Sequence, residues 1–248
     1  MLDQCDSTNE EAARMAEDGA PHGTVVIAET QRAGRGRFGR SWYSPRGGVW
    51  MSVIIKPRSV DSSTSSLPLI GAIAVAKTLA LGWRVRAEVR WPNDVVVGGR
   101  KIAGMFVESK SKGNELTYAV LGIGLNANVD TSKAEQIRDS STSLLMILGM
   151  PINREQLIAD ILFNVESLCE QLQTTGEAVA LDALMELDWS RGREVKVRTV
   201  HGNLFGHFNG YETLGRTRIR TRNGLRLVES DSVLSVEYES DQVKGATG

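Results

Sequence analysis

Cysteine and histidine are scarce: the 248 residues hold only Cys5, Cys169 and three histidines. Two cysteines give no basis for a disulfide framework or a cysteine-based metal site. With so few histidines and no Ser-His-Asp pattern, a nucleophilic triad is not expected. One-sided charge is also missing, since 29 Lys and Arg stand against 30 Asp and Glu. The net charge therefore argues neither for nor against nucleic acid as a partner of the whole chain. No apolar run is read as reaching the roughly 18 residues that span a bilayer. The first residues, MLDQCDSTNE, lack the basic and apolar regions of a signal peptide. The cytoplasm is the expected compartment, with no membrane partner. Neither a GK[ST] phosphate loop nor a GxGxxG opening a helix occurs, and no internal repeat is visible.

What is present is ordinary globular composition, 41% hydrophobic and 24% charged, in a length that can bury one substantial core and a smaller second one. Ser7 reads as the N-cap of a helix running to Asp18, with Glu10 completing a capping box. Strands are expected over 24–29 and 48–56, an apolar helix over 67–81, and a Ser/Thr-rich connecting loop over 59–66. Four further strands, 84–91, 95–97, 101–109 and 115–125, are separated by Pro-Asn-Asp, Gly-Gly-Arg and Lys-Gly-Asn turns, which implies a meander. Such a meander would place the Pro92 turn, Lys101 and Asn126 on neighbouring strands. Helices are expected over 141–148, 154–173 and 176–186. From Asp188 the pattern changes to short strands, 194–199, 204–209, 213–221 and 225–228, as in a compact β-barrel.

Residues 31–40, QRAGRGRFGR, carry four arginines and three glycines with no acid. Like charges near a surface repel by up to about 4 kcal/mol at roughly 4 Å, so this loop is expected to stay splayed until an anion arrives. Gly/Arg segments also serve as solvated turns or as binders of single-stranded nucleic acid, and the segment alone leaves these readings open.

Other motifs narrow the choice. Ser7-Thr8-Asn9, the arginine loop, Val89-Arg90-Trp91-Pro92-Asn93-Asp94, Lys101-Ile102-Ala103-Gly104 and Gly122-Ile123-Gly124-Leu125-Asn126 occur in one order over about 120 residues. Together they resemble the biotin protein ligase family, whose signatures read STN, GRGRxGR, KWPND, K[IL]AG and G[IA]G[IL]N. The resemblance implies an α+β fold: a mixed, mainly antiparallel sheet flanked by helices, like class II aminoacyl-tRNA synthetases, with a C-terminal SH3-like β-barrel. The implied layout is a biotin/ATP-binding catalytic domain over 1–187, the barrel over 188–240 and a flexible tail over 241–248. Six residues precede Ser7, too few for the winged-helix DNA-binding domain of some members, so no repressor role is expected.

The resemblance also implies the chemistry: ATP activates biotin to biotinyl-5'-AMP, and the biotinyl group passes to a lysine of a biotin carboxyl carrier domain. Ser7, Thr8, Asn9, Gln31, Gly34, Arg35, Lys101 and Gly104 would contact biotin. Arg35, Arg37, Arg40, Trp42, Arg90, Asn93 and Asn126 would contact ATP or the adenylate, and Arg37, Arg90 and Lys101 would carry catalysis. Gly104 would leave room for biotin, Trp42 would offer a flat surface to adenine, and Asp94 is the candidate Mg²⁺ ligand. Arg90 departs from the family's lysine; arginine keeps its charge and holds anions bidentately, but is bulkier. A homodimer is left open.

Two further points belong to the sequence. Nine Lys/Arg against Glu194 and Glu212 lie in 190–226, and Arg216, Arg218, Arg220 and Arg222 alternate as if on one strand face. The reading is a solvated face, with steering of an acidic carrier or of ATP phosphates as the sharper alternative. Rival functions are a lipoate or octanoate ligase, although the lipoyl-type RRxxGGG string is missing, a catalytically impaired biotin-binding protein, and a nucleic-acid binder.

Overall fold

The computed structural model describes residues 1–56, 64–113 and 115–239. The chain divides into two compact units, Met1–Trp189 and Ser190–Gly248. The first unit contains β1 (Leu2–Cys5), α1 (Thr8–Glu17), β2 (Val25–Gln31), β3 (Val49–Ile55), α2 (Leu67–Trp83), β4 (Glu88–Arg90), β5 (Asp94–Val97), β6 (Arg100–Lys112) and β7 (Glu115–Leu125). Three helices follow: α3 (Leu144–Leu148), α4 (Arg154–Thr175) and α5 (Ala178–Leu187). Its sheet has the order β1-β2-β3-β7-β6-β5-β4. Only β1 and β2 run parallel; the other ladders are antiparallel. The mixed, mainly antiparallel α+β architecture and the β4–β7 meander agree with expectation.

The sheet is central because its middle strands are apolar on both faces. VWMSVII in β3 is β-branched or apolar at nearly every position and almost wholly buried. Strand alternation then sorts β7 into two sets. Leu121 faces α2, packing with Met105 near Gly71. Val120 faces α1, in a cluster with Ala12, Ala16, Val26, Ile54 and Tyr118. Gly122 and Gly124 share the Val120 side, and that side carries the candidate site.

Several expectations need correcting. Strand β1 was not foreseen, because LDQC is short and mostly exposed and becomes a strand only by pairing with the distant β2. Residues 64–83 do form a helical run long and apolar enough to cross a membrane by composition. Yet Leu69, Ile70, Ile73 and Val75 are fully buried inside the unit, so its apolarity serves a core. The helix expected over 141–148 starts only at Leu144, with Ser143 Oγ accepting from the Met146 amide at 3.1 Å. Ser141 and Thr142 are instead drawn into backbone pairing with Lys101. Of the loop over 59–66, residues 59–63 lie outside the described residues and Thr64–Ser66 is a 3-10 turn. The tail over 241–248 also lies outside them.

The second unit holds β8 (Glu194–Thr199), β9 (Gly202–Thr213), β10 (Arg216–Thr221), β11 (Gly224–Glu229) and β12 (Val233–Tyr238), ordered β11-β10-β9-β8-β12. All its ladders are antiparallel, around Val195, Val197, Phe208, Ile219 and Val233. No ladder joins β11 to β12 among the described residues, so the structure shows an open sheet and not a closed barrel. The four arginines do not make one row. Arg216, Arg218 and Arg220 do alternate with buried Thr217 and Ile219, in unbroken register with β11, but Arg222 lies in the turn after β10. Arg216 pairs with Glu229 and Arg218 with Glu212, which offsets part of the local charge.

Candidate active site

A chain of hydrogen bonds crosses the α1 side of the sheet. Gln31, at the end of β2, donates from Nε2 to Ser44 Oγ at 2.8 Å. Its Oε1 accepts from the Thr8 amide at 2.8 Å and the Thr8 hydroxyl at 3.1 Å. Ser52 Oγ on β3 contacts Thr8 Oγ1 at 2.8 Å and Asn9 Oδ1 at 2.6 Å. Asn9 Nδ2 then donates to Glu108 Oε2 at 3.0 Å. Ser7, Thr8, Asn9 and Ser52 are all buried, where an unmade hydrogen bond costs about 1–3 kcal/mol, so this row is held by mutual satisfaction. Gly122 makes it fit: a Cβ there would lie 2.2 Å from Asn9 Oδ1.

Ser7 is the N-cap residue of α1 by position, but its side chain makes no capping bond. The expected capping box does not form, because Glu10 instead pairs with Arg35 at 2.9 Å. Ser7 itself is buried.

Beyond Gly124 lies a second cluster. Strands β4, β5 and β6 bring Arg90 opposite Asp94 and Asp94 opposite Gly104. Arg90 donates to Asp94 Oδ2 at 2.9 Å, and Lys101 Nζ lies 2.6 Å from Oδ1. Burial alone pushes the Asp94 carboxyl up, but the adjoining Lys101 and Arg90 charges outweigh it and hold Asp94 below the usual carboxylate range. Lys101 also sits over the Trp42 ring, 4.9 Å from its centroid, and Arg90 over Trp189 at 5.6 Å.

Trp42 fills the space above two glycines. A Cβ on Gly104 would approach its ring to 2.9 Å, and one on Gly124 to 2.6 Å. The Trp42 Nε1–H is buried with no hydrogen-bond partner among the described residues. A buried donor of this kind asks for an acceptor.

The arginine segment is an ordered hairpin, not a splayed loop. Arg35 bridges Ser41, the Trp42 amide donates to the Gly34 carbonyl at 2.8 Å, and the Gly36 amide to the Arg40 carbonyl at 2.7 Å. Acids from elsewhere also relieve the repulsion foreseen within it: Arg35 meets Glu10 and Glu108, and Arg32 meets Asp6 at 2.8 Å. At the tip, Arg37 stacks on Phe38 at 5.1 Å. Phe38 there has the left-handed φ of 56°.

A family model described as "Biotin/lipoate A/B protein ligase family" matches residues 1–126, which include the polar row, the hairpin and the cationic cluster. The chain belongs to this family. The biotin--[acetyl-CoA-carboxylase] ligase of Paracoccus denitrificans is 30% identical over 238 residues, covering 94% of this chain and 98% of that one. The bifunctional ligase/repressor BirA of Bacillus spizizenii is also 30% identical, over 93% of this chain and 72% of its own length. Among solved structures, the Aquifex aeolicus biotin protein ligase in complex with biotin and ATP superposes with a TM-score of 0.84 at 27% identity, covering 96% and 97% of the two chains.

Within this biotin/lipoate ligase fold the expected site residues do not all behave alike. Ser7, Thr8, Asn9 and Gln31 gather on the polar row, while Arg90, Asp94 and Lys101 gather beside Trp42. Asn93 is occupied elsewhere: its Nδ2 donates to the Met105 carbonyl at 2.7 Å and locks the Pro92 turn onto β6. Asn126 likewise donates to the Thr142 carbonyl at 3.0 Å. The space over Gly104 that was assigned to biotin holds Trp42. Asp94 does not fit a magnesium ligand, since both its oxygens face cationic side chains. Sequence reasoning missed Ser44, Ser52, Glu10 and Glu108. The available signal was Ser52, the one hydroxyl in the apolar run of β3.

Proposed function

We propose that the chain is a cytoplasmic biotin protein ligase that activates biotin with ATP and transfers it to a lysine of a biotin carboxyl carrier domain. One observation carries this reading: a satisfied polar row and the Arg90 and Lys101 pair lie on the same sheet face, on either side of Trp42, which packs over Gly104 and Gly124. The row offers hydroxyls and an amide to a polar ring, and the cations offer charge to a carboxylate and a phosphate.

In the first step the biotin carboxylate oxygen attacks the α-phosphorus of ATP, and the bond to pyrophosphate breaks. Two anions must meet, so fixed positive charge lowers the barrier more than any nucleophile would. Lys101 and Arg37 supply it, with Arg90 holding Asp94 so that Lys101 stays in place. In the second step a neutral carrier lysine attacks the anhydride carbonyl, AMP leaves with the electron pair of the C–O bond, and the amine's proton passes to solvent. Thr8, Asn9, Gln31 and Ser7, with the backbone at Gly34 and Arg35, hold the biotin ring; Trp42 and Arg40 flank the nucleotide. Asn93 and Asn126 act by fixing backbone. Residues 1–187 form the catalytic domain in this reading, and the open five-stranded sheet is the family's SH3-like module.

Biotin-dependent exchange of pyrophosphate into ATP tests the reading, followed by the mass of a carrier domain incubated with biotin and MgATP. Exchange with biotin but not lipoate is expected. Exchange with lipoate alone, or with neither, would sink it.

A further inference from the structure

Arg35 is not a free anion clamp. Its guanidinium lies 2.9 Å from Glu10 Oε1 on α1 and 3.5 Å from Glu108 Oε1 on β6, so one positive charge faces two negative ones. The second oxygen of Glu108 accepts from Asn9 Nδ2 at 3.0 Å, and Asn9 is in turn fixed by Ser52 at 2.6 Å. A single half-buried carboxylate thus touches both the base of the arginine hairpin and the last member of the polar row. An anion approaching Arg35 would have to displace two carboxylates.

We propose that Glu108 is a positioning residue that fastens the arginine hairpin to the biotin pocket, with Glu10 as the second half of the clasp. The inference rests on the ligase reading, in which Arg37, Arg40 and Trp42 bring the hairpin over the adenylate. Glu108 orients Asn9 toward the ring site with one oxygen and anchors the hairpin through Arg35 with the other. Loss of the anchor lets the cover open; loss of both contacts also loosens the ring site. The charge and the hydrogen bond are separable, because a glutamine at 108 still accepts from Asn9 but no longer attracts Arg35 as an ion.

The test compares Glu108→Gln, Glu108→Ala and Glu10→Gln with the parent protein in two readouts. One is the half-life of enzyme-bound biotinyl-adenylate together with KM for biotin and kcat. The other is the rate of trypsin cleavage within residues 32–40 with no ligand present. Removing one partly exposed ion pair should shorten the adenylate half-life and speed hairpin cleavage by about 1.5- to fivefold in Glu108→Gln and by a similar or smaller factor in Glu10→Gln. KM for biotin should stay within about twofold in Glu108→Gln and rise more than fivefold in Glu108→Ala, where the Asn9 bond is lost as well. Unchanged cleavage in both glutamine variants would overturn the clasp, as would an equal rise of KM in Glu108→Gln and Glu108→Ala. If the parent protein forms no adenylate the ligase reading falls, and the trypsin arm still decides whether the clasp exists. Glu10→Gln, at a more exposed position, keeps the test valid should the Glu108 variants fail to fold.

Discussion

At the level of single residues, the site depends on what is missing as much as on what is charged. Gly122 lets α1 lie close enough for Asn9 to reach Ser52, and a methyl group there would meet Asn9 Oδ1 at 2.2 Å. Gly122→Ala should therefore cost about 1–3 kcal/mol, through overpacking or through a displaced buried amide. Chemical denaturation measures the loss, and biotin affinity should fall with it. Asp94 gives a pH signature. Its folded-state carboxyl titrates below the ordinary range, so its ionisation stabilises the fold fully at neutral pH. That contribution is lost as pH falls through the lowered value. Asp94→Asn should flatten this acid limb of the stability curve, and its melting temperature should depend less on pH below the usual carboxylate range. Arg90→Lys keeps the charge and a contact to Asp94, so pyrophosphate exchange should persist; abolition would show that the bidentate reach of arginine is required.

Secondary elements are joined to the site by a few polar ties. Glu29, inside β2, is held by both oxygens to Arg154 at 2.9 and 3.0 Å, and Arg154 also donates to the Gly48 carbonyl at 3.0 Å. This one side chain seats the start of α4 against β2 and the entry to β3. With Glu29 side-chain exposure at 9%, Arg154→Ala leaves a buried carboxylate with only the longer contact to Arg46. A loss of about 3 kcal/mol is expected in equilibrium unfolding. Most elements were legible from sequence because their signals are local. Apolar runs bounded by turn residues marked β3, α2 and the β4–β7 meander. Strand β1 and the shortened α3 were not legible, since each depends on backbone pairing with residues far along the chain. The capping box of α1 was not legible either: Ser7 makes no side-chain capping bond, and Glu10 pairs with Arg35 from the distant hairpin.

Across the whole molecule, the apolar helix α2 has the composition of a membrane span but sits in the core of the first unit, packed against β6 and α4. Its amides over 70–76 should exchange hydrogen only through unfolding of that unit, while those of β1, on an exposed edge, should exchange far sooner. Mass-spectrometric exchange with proteolysis would separate the two, and comparable rates would contradict this packing. The sequence by itself determined the family motifs, their order and the meander that brings them together, because these rest on local pattern and short turns. Only the tertiary structure decided which cations of the motifs face an acid. Arg35, Arg90 and Lys101 look alike as letters, yet their partners, Glu10, Glu108 and Asp94, include groups brought from distant elements. Coulomb attraction acts through space, and sequence spacing does not record that distance.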